Sequence, residues 1–383
     1  MSPALFAAPP SPAFRSVISI DDTIAAIAVV SGGSDRLRAG SANHVAPGTG
    51  VVQSAAMLAV AIPALADTAS LGTAGLMDAL NKADRSWALA GAGQSPRLFD
   101  VRLVGLNHRP VVCRDGVRLH PTATVHQMPT PDLVVVPGLD DDLAVSFVLN
   151  RRWVPWISRW HQAGARIASS CTGAFLVADA GVLRGRPATT HWLFADDLSR
   201  RYPAVNVTAD QMIVDNGDVI TSGGATAFLN LVLHLVERFG GPERASLAAK
   251  VLLVDGHRKS QLPYIAALPG RFHNDLVIHE IQQHIDEHLD EPLLMSKLAA
   301  LFGLSSRTLS RRFESATGHG PQAYLQHARV QHAKRLLETT DDSIDEIRRG
   351  AGYHDPAAFR RAFKQTTGLS PSQYRGTYGP PHR

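Results

Sequence analysis

Cysteine is nearly absent: 383 residues include only Cys113 and Cys171. Two thiols exclude a disulfide scaffold and a cysteine-rich zinc site, and nothing else points to an oxidising compartment. No run of eighteen uncharged apolar residues stands clear of turn signals, which argues against a membrane span. The nearest run, residues 51–66, is interrupted by Gln53 and Pro63. It lies some fifty residues from the start and lacks the charged flank of a signal segment, so it reads as leading into a buried strand. No P-loop or dinucleotide-type glycine pattern occurs. His284 and His288 have a metal-compatible i, i+4 spacing, but without an intervening Glu or a further ligand they read as a solvated helix face. No metal and no cofactor is expected, and the expected location is cytoplasmic.

Apolar residues at 45% and charged residues at 19% suffice for a sizeable core, and the length suits two or three domains. The formal charge of +4 hides an asymmetry. Residues 296–383 hold fourteen of the 38 basic residues but only seven of the 34 acidic ones, which leaves the rest slightly acidic. A basic terminal module on an acidic body suits a polyanion bound at one end, although surplus arginine also serves simply to solvate a helix.

Residues 1–56 are rich in Ala, Ser, Pro and Gly without a sustained period, the composition of a disordered extension. Met57 is the expected natural start. From there residues 58–62, 99–104 and 111–113 read as strands and 74–82 as a helix. Residues 132–138 form a continuous apolar strand closed by a Pro-Gly turn, as a parallel sheet covered on both faces requires. A helix over 145–163, a strand over 165–169 and a helix from Gly173 follow. Short strands at 211–215 and 219–221 flank an Asn-Gly turn before a helix over 225–239. This alternation predicts an α/β domain with a mainly parallel sheet over 57–255. Residues 256–274, with two prolines and two glycines, are the expected linker, and 275–383 read as helices.

The strongest signal is an internal echo. Arg311, Phe313, Thr317, Gly318, Pro321 and Tyr324 recur fifty residues later as Arg361, Phe363, Thr367, Gly368, Pro371 and Tyr374. Six identities at one offset indicate a duplicated unit. In the first copy, a helix from Ser296, a turn at Gly303, a cap at Ser305 and a helix over 306–316 make a helix-turn-helix. Leu298, Leu301, Phe302, Leu309 and Phe313 are expected to pack. Arg307, Ser310, Arg311 and Arg312 are expected to face DNA, together with Ser306 at the helix start. In the second copy Ile347, Phe359 and Phe363 pack, while Arg360, Arg361 and Lys364 project from a helix opened by Pro356 behind Asp355. One long helix over 321–338 is expected to hold the two readers about one duplex turn apart. A helical interaction domain whose arginines face water is the alternative. Arginine at matching places in both copies favours DNA.

On these residues, 275–383 resembles the DNA-binding domain of AraC/XylS-type transcription regulators. The resemblance runs through LSSRTLSRRF (304–313), AKRLL (333–337), GYHD (352–355) and GLSPSQYR (368–375). It implies base-reading positions at Arg307, Ser310 and Arg311 in the first unit, and at Ala357, Ala358 and Arg361 in the second. An arginine there can bond guanine O6 and N7 together, while Arg312, Arg360 and Lys364 suit phosphates. Arg348 departs from the pattern: the family usually has a small Ala beside Ile347, so a bulky charge there is expected to loosen the second unit.

In the first domain, SSCTGAF (169–175) places Cys171 at a strand-to-helix turn, where a nucleophile elbow presents a thiol to backbone N–H groups and a positive helix end. A buried structural cysteine is the alternative on that motif alone. With GVLRGRPATTHW (181–192) and TSGGATAFLN (221–230), residues 58–255 resemble the DJ-1/PfpI superfamily, related to class I glutamine amidotransferases. The resemblance implies a flavodoxin-like sandwich and a carboxylate beside the cysteine, for which Asp78 is preferred over Asp67. Protease-like members have His directly after the cysteine, whereas this chain has Thr172, so the Cys-His pair is missing at the elbow. His191 is the nearest spatial substitute.

The combined reading is a sequence-specific transcription regulator that binds a double-stranded DNA operator as a homodimer. An amine- or amide-like metabolite is expected to dock among Cys171, Thr172, Asp78 and His191. Two alternatives stand beside it: a Cys171-dependent hydratase or amidase, suggested by the Cys-Thr pair of isocyanide hydratases, and a thiol redox switch.

Overall fold

A computed structural model describes residues 57–380 except 90–96, 141, 257, 267–272 and 274. The expected extension over 1–56 lies outside the described residues. Strand β1 (Leu58–Pro63), helix α1 (Ser70–Leu89) and strand β2 (Phe99–Gly105) open the first domain. The short strands β3 (Val111–Val112), β4 (Arg118–Leu119) and β5 (Ala123–Thr124) precede β6 (Leu133–Val136). Next come α2 (Leu143–Asn150), α3 (Val154–Gln162), β7 (Arg166–Ser170) and α4 (Ala174–Asp179). The chain continues through β8 (Pro187–Ala188), α5 (Ala195–Arg201), β9 (Asn206–Val207), β10 (Ile213–Asp215) and β11 (Val219–Ser222) to α6 (Ala227–Gly240) and α7 (Pro242–Leu252).

Seven strands form one sheet in the order β10-β11-β7-β6-β1-β2-β5. All its pairings are parallel except the β10–β11 hairpin. Strand β6 shows why the sheet sits between two helical layers. All four of its residues are buried. Val134 and Val136 face a core with Trp153, Ile157 and Phe175, while Leu133 and Val135 face another with Leu76, Phe228 and Leu231. The period of two puts alternate side chains into opposite cores. Each such burial contributes about 1.5–3 kcal/mol, so a polar replacement anywhere in β6 is costly. The chain leaves β1 toward β2 and β5 on one side, then returns to β6, β7 and β11 on the other. Ligand crevices form at such a switch point, beyond the strand ends. Cys171 lies directly beyond β7.

Two helical expectations change. The helix expected over 145–163 is split by a 3-10 turn at Arg151–Trp153. Pro155 stands in the first turn of α3, where its missing N–H is harmless; inside a continuous helix it would have removed a bond. Helix α7 was not expected at all and follows α6 across Gly241, whose φ is 88°.

The second part is all helical: α8 (Leu276–Glu287), α9 (Met295–Leu301), α10 (Ser306–Thr317), α11 (Pro321–Thr339), α12 (Ile344–Gly350), α13 (Pro356–Thr367) and α14 (Pro371–Tyr378). It contains two cores, and α11 serves both. Tyr324, Leu325 and Ala328 enter the first, and Val330, Ala333 and Leu337 the second. The sequence echo is a structural one. Phe313 meets Tyr324 with ring centroids 5.4 Å apart, and Phe363 meets Tyr374 at 5.4 Å. Thr317 Oγ1 donates to the Phe313 carbonyl at 2.8 Å, as Thr367 does to that of Phe363 at 2.8 Å. Leu301, expected in the core, is instead exposed; it ends α9, and Leu304 beyond the turn packs in its place. The fold is thus a flavodoxin-like α/β sandwich followed by an all-α region, the class that the alternation and the echo predict.

Candidate functional site

Two places carry the chemistry-bearing residues. On α10, Ser305 caps the helix by accepting from Thr308 N at 3.1 Å, and Ser306, Arg307, Ser310 and Arg311 are exposed. On α13, Asp355 caps by accepting from Ala357 N and Ala358 N at 2.9 and 3.1 Å. These two backbone donors hold its carboxyl below the usual range. Ala357, Arg360, Arg361 and Lys364 are exposed there, and Ala358 is half-buried. Among the described residues, Arg307, Arg311, Arg360, Arg361 and Lys364 form no salt bridge. A helix face that keeps its cations unpaired in this way suits a polyanion.

Arg312 is placed differently from its expected phosphate role. Its Nε and Nη2 grip both oxygens of Asp275, the cap of α8, at 2.6 and 2.9 Å. The guanidinium holds the Asp275 carboxyl below its usual range. The side chain therefore ties α10 to α8.

Arg348 also corrects its expectation. It is buried rather than clashing, and it donates to Asp345 Oδ1 and the His354 carbonyl at 2.8 Å each, and to the Tyr353 carbonyl. The bulky charge stitches the turn between α12 and α13 together.

At the end of β7, Cys171 has φ 55°, a left-handed conformation that a non-glycine residue holds only when its surroundings impose it. Its N–H donates to the Gly223 carbonyl at 3.0 Å, and its carbonyl accepts from Thr190 Oγ1 at 2.9 Å. Thr172 Oγ1 donates to the Leu139 carbonyl at 2.6 Å, which leaves that hydroxyl anchored rather than basic. A Cβ on Gly138 would lie 3.6 Å from Cys171 Sγ, so the bare glycine keeps one wall of the thiol low. Cys171 is half-buried, whereas Cys113 is buried and its thiol is pushed up by that burial and then by Asp115.

His191 lies on the backbone at Gly224, where a Cβ would fall 1.6 Å from its ring. Its Nδ1 accepts from Leu193 N at 3.1 Å, capping the turn that follows. His191 thus belongs to the shell around the cysteine turn.

Asp78 is not brought to that turn. It is an exposed residue of α1 paired with Lys82 at 2.6 Å. The carboxylates nearer by connection are Asp140, next to Leu139, and Asp67 with φ 54°. Arg114 joins the pair, at 3.0 Å from Asp140 and 3.3 Å from Asp67. Asp140 went unnoticed in the sequence because it sits in a run of three aspartates with no helical or strand period around it. Gln261 went unnoticed too, because it falls in the expected linker. It is buried, with Nε2 within 3.1 Å of four oxygens.

A cleft of about 1000 Å3 lies elsewhere, between α6, α7 and residues 254–256, lined among others by Met212, Asn230, Leu233, Glu237 and Lys259. It does not include Cys171. Its His234 is already held by Asp215 at 2.7 Å, which is bound in turn by Arg238. The cysteine turn, strained and lying directly beyond a central strand, is the candidate site.

Comparison with known proteins agrees with both halves. The DJ-1/PfpI family matches residues 59–238, and a helix-turn-helix domain matches residues 298–377. This chain is a DJ-1/PfpI domain joined to an AraC-type helix-turn-helix domain. The second module makes this DJ-1/PfpI–AraC protein a DNA-binding transcriptional regulator. It is 28% identical over 285 residues to the HTH-type transcriptional regulator CdhR of Pseudomonas aeruginosa, spanning 73% of this chain and 82% of that one. It is 29% identical over 224 residues to the HTH-type transcriptional regulator GlxA of Rhizobium meliloti, spanning 58% and 69%. A solved THiJ/PfpI family protein from Pseudomonas syringae is 21% identical, covering 56% of this chain and 82% of that one, with a TM-score of 0.45.

Proposed function

We propose that the DJ-1/PfpI domain senses a small metabolite at the Cys171 turn and that its occupancy changes how the double helix-turn-helix binds an operator. The observation that carries this reading is the strained, half-buried Cys171, which follows a central strand and stands beside a Thr172 hydroxyl anchored on the Leu139 carbonyl. Strain held by the surrounding shell suits a preformed binding site, and the anchored Thr172 argues against a nucleophile activated next door. The relatives that match across both domains are named regulators, and this chain is read as a regulator rather than an enzyme. An amine- or amide-like ligand suits a site rimmed by backbone carbonyls and threonines.

Arg307, Ser310, Arg311, Ala357 and Arg361 are assigned to base edges, with Ser306, Arg360 and Lys364 at the phosphates. The operator is cytoplasmic DNA. A second copy of the chain completes the reader, and three exposed apolar residues of α2, Val145, Val148 and Leu149, support that pairing.

Selection from a random duplex pool tests the reading, with wild type run beside Arg307→Ala and Cys171→Ala. Wild type is expected to enrich one motif, Arg307→Ala to relax it, and Cys171→Ala to keep it. A panel of small amines and amides is then added to the selected duplex. At least one is expected to shift wild-type affinity but not that of Cys171→Ala. Turnover of a panel member by wild type alone would replace sensing with catalysis.

A further inference from the structure

The segment that reads as a linker is fastened at both ends. Lys259 O accepts from Met212 N at 3.1 Å, Ser260 pairs with Gln211, and Gln261 N donates to Asp210 O at 2.8 Å, so residues 259–261 line the edge of the sensor domain. The Gln261 side chain then enters the shell of the cysteine turn. Its Nε2 lies 2.9 Å from the Thr190 carbonyl and 3.1 Å from Thr189 Oγ1, and its Oε1 accepts from Gly224 N at 3.3 Å. Two of these holders, Thr190 and Gly224, border the cysteine turn. Thr190 Oγ1 donates to the Cys171 carbonyl, Gly224 supports His191, and the preceding Gly223 accepts from Cys171 N.

The next four residues belong to the other domain. Leu262–Tyr264 form a 3-10 turn. Tyr374 Oη lies 3.4 Å from the Pro263 carbonyl, and Tyr264 meets the Tyr378 ring at 5.8 Å. The Ile265 carbonyl accepts from Gln331 Nε2 at 3.1 Å and from Lys334 Nζ at 2.5 Å. All of these partners sit on α11 or α14, the helices that pack into the same core as the second helix-turn-helix unit. From the Gln261 backbone N–H to the Pro263 carbonyl the chain covers only three residues, about 10 Å at full extension, so a displacement at one end is felt at the other.

We propose that Gln261 is a positioning residue of the Cys171 site and that residues 259–265 are the strut through which that site and the second helix-turn-helix unit bias each other. The idea rests on reading the cysteine turn as the sensing site. Coupling of this kind is reciprocal, so DNA on the helices must be felt at Cys171.

The test therefore needs no effector. Full-length protein is treated with iodoacetamide, with and without saturating selected duplex, and the rate of Cys171 carbamidomethylation is followed by peptide mass spectrometry. The thiolate sulfur displaces iodide from carbon, leaving a thioether and releasing iodide. Wild type is expected to change its rate at least threefold on binding duplex. Gln261→Met, similar in size but unable to hydrogen-bond, is expected to bind the duplex yet lose that difference. Tyr374→Phe, which removes the hydroxyl that bonds Glu338 and lies beside the Pro263 carbonyl, is expected to reduce the difference without touching the sensor fold. An equal wild-type rate with and without duplex overturns the strut. So does an undiminished difference in both variants. A metabolite that shifts operator affinity equally in wild type and Gln261→Met overturns the strut alone and leaves sensing intact. Duplex-dependent alkylation with no responsive metabolite supports the strut and counts against the ligand reading.

Discussion

Arg348 donates a hydrogen bond to the backbone carbonyl of His354 at 2.8 Å, across the turn that joins α12 to α13. The same guanidinium reaches Tyr353 O and Asp345. Arg348 is therefore the stitch of the turn. Arg348→Ala strands two carbonyls, and a charge-assisted bond of this type contributes about 2 kcal/mol. The expected result is faster amide exchange over residues 343–367 with the first unit unchanged. Protection equal to wild type would return Arg348 to a merely tolerated side chain.

Base and phosphate roles separate in a salt titration. Arg307→Ala is expected to cost about 1–3 kcal/mol on the selected duplex and to flatten discrimination at one base pair. Lys364→Ala is expected to weaken all duplexes alike and to lower the slope of log affinity against log salt by roughly one. Fluorescence anisotropy on a set of single-base variants reads both. The assignment fails if the two substitutions behave the same way.

Thiol selectivity follows from burial. Cys113 is buried and its ionisation is disfavoured by that burial, then by Asp115. Cys171 is only half-buried. One equivalent of iodoacetamide on native protein is expected to label Cys171 at least tenfold faster, with equal labelling in denaturant. Peptide mapping at timed quenches decides it, and preferential labelling of Cys113 would contradict the described turn.

Lys334 makes the strut pH-dependent. It is buried, and desolvation lowers its pKa from 10.5 to about 8, partly opposed by Glu338. Between those values the unfolded chain binds more protons than the folded one, so stability rises with pH across the window, and the penalty is present in full below about 8. Relative to Lys334→Met, wild type is expected to gain stability from pH 8 toward pH 10 in urea titrations. A parallel pair of curves would place the ammonium in water.

Much of this was legible in one chain of letters because it is local or periodic. The buried strand at 133–136 needs only apolar residues at every position to say that both faces are covered. The double helix-turn-helix needs only the echo, since Phe313 and Tyr324 at one offset force the same contact that Phe363 and Tyr374 make. The caps at Ser305 and Asp355 were readable for the same reason: a short polar side chain three residues ahead of orphan N–H groups has one good use. The strand-to-helix turn at Cys171 was readable as a motif, but its strain was not.

What escaped depends on which parts of the chain meet in space. Asp78 lies on an amphipathic helix, and nothing in its period says that it faces Lys82 rather than the thiol. Arg312 has the same chemistry as its exposed neighbours and is withdrawn only because Asp275, thirty-seven residues earlier, reaches it. Gln261 is polar and stands among turn residues, so composition assigns it to a loop. The sheet edge and Gly224 surround it with acceptors and one donor, and an amide buried with its bonds made becomes a structural part. Sequence determined most of the elements and the two domain types, because backbone geometry and side-chain period act within a few residues. Only the tertiary structure decided which charges are paired and how the joining segment is held at both ends, because those are set by contacts between residues far apart in the chain.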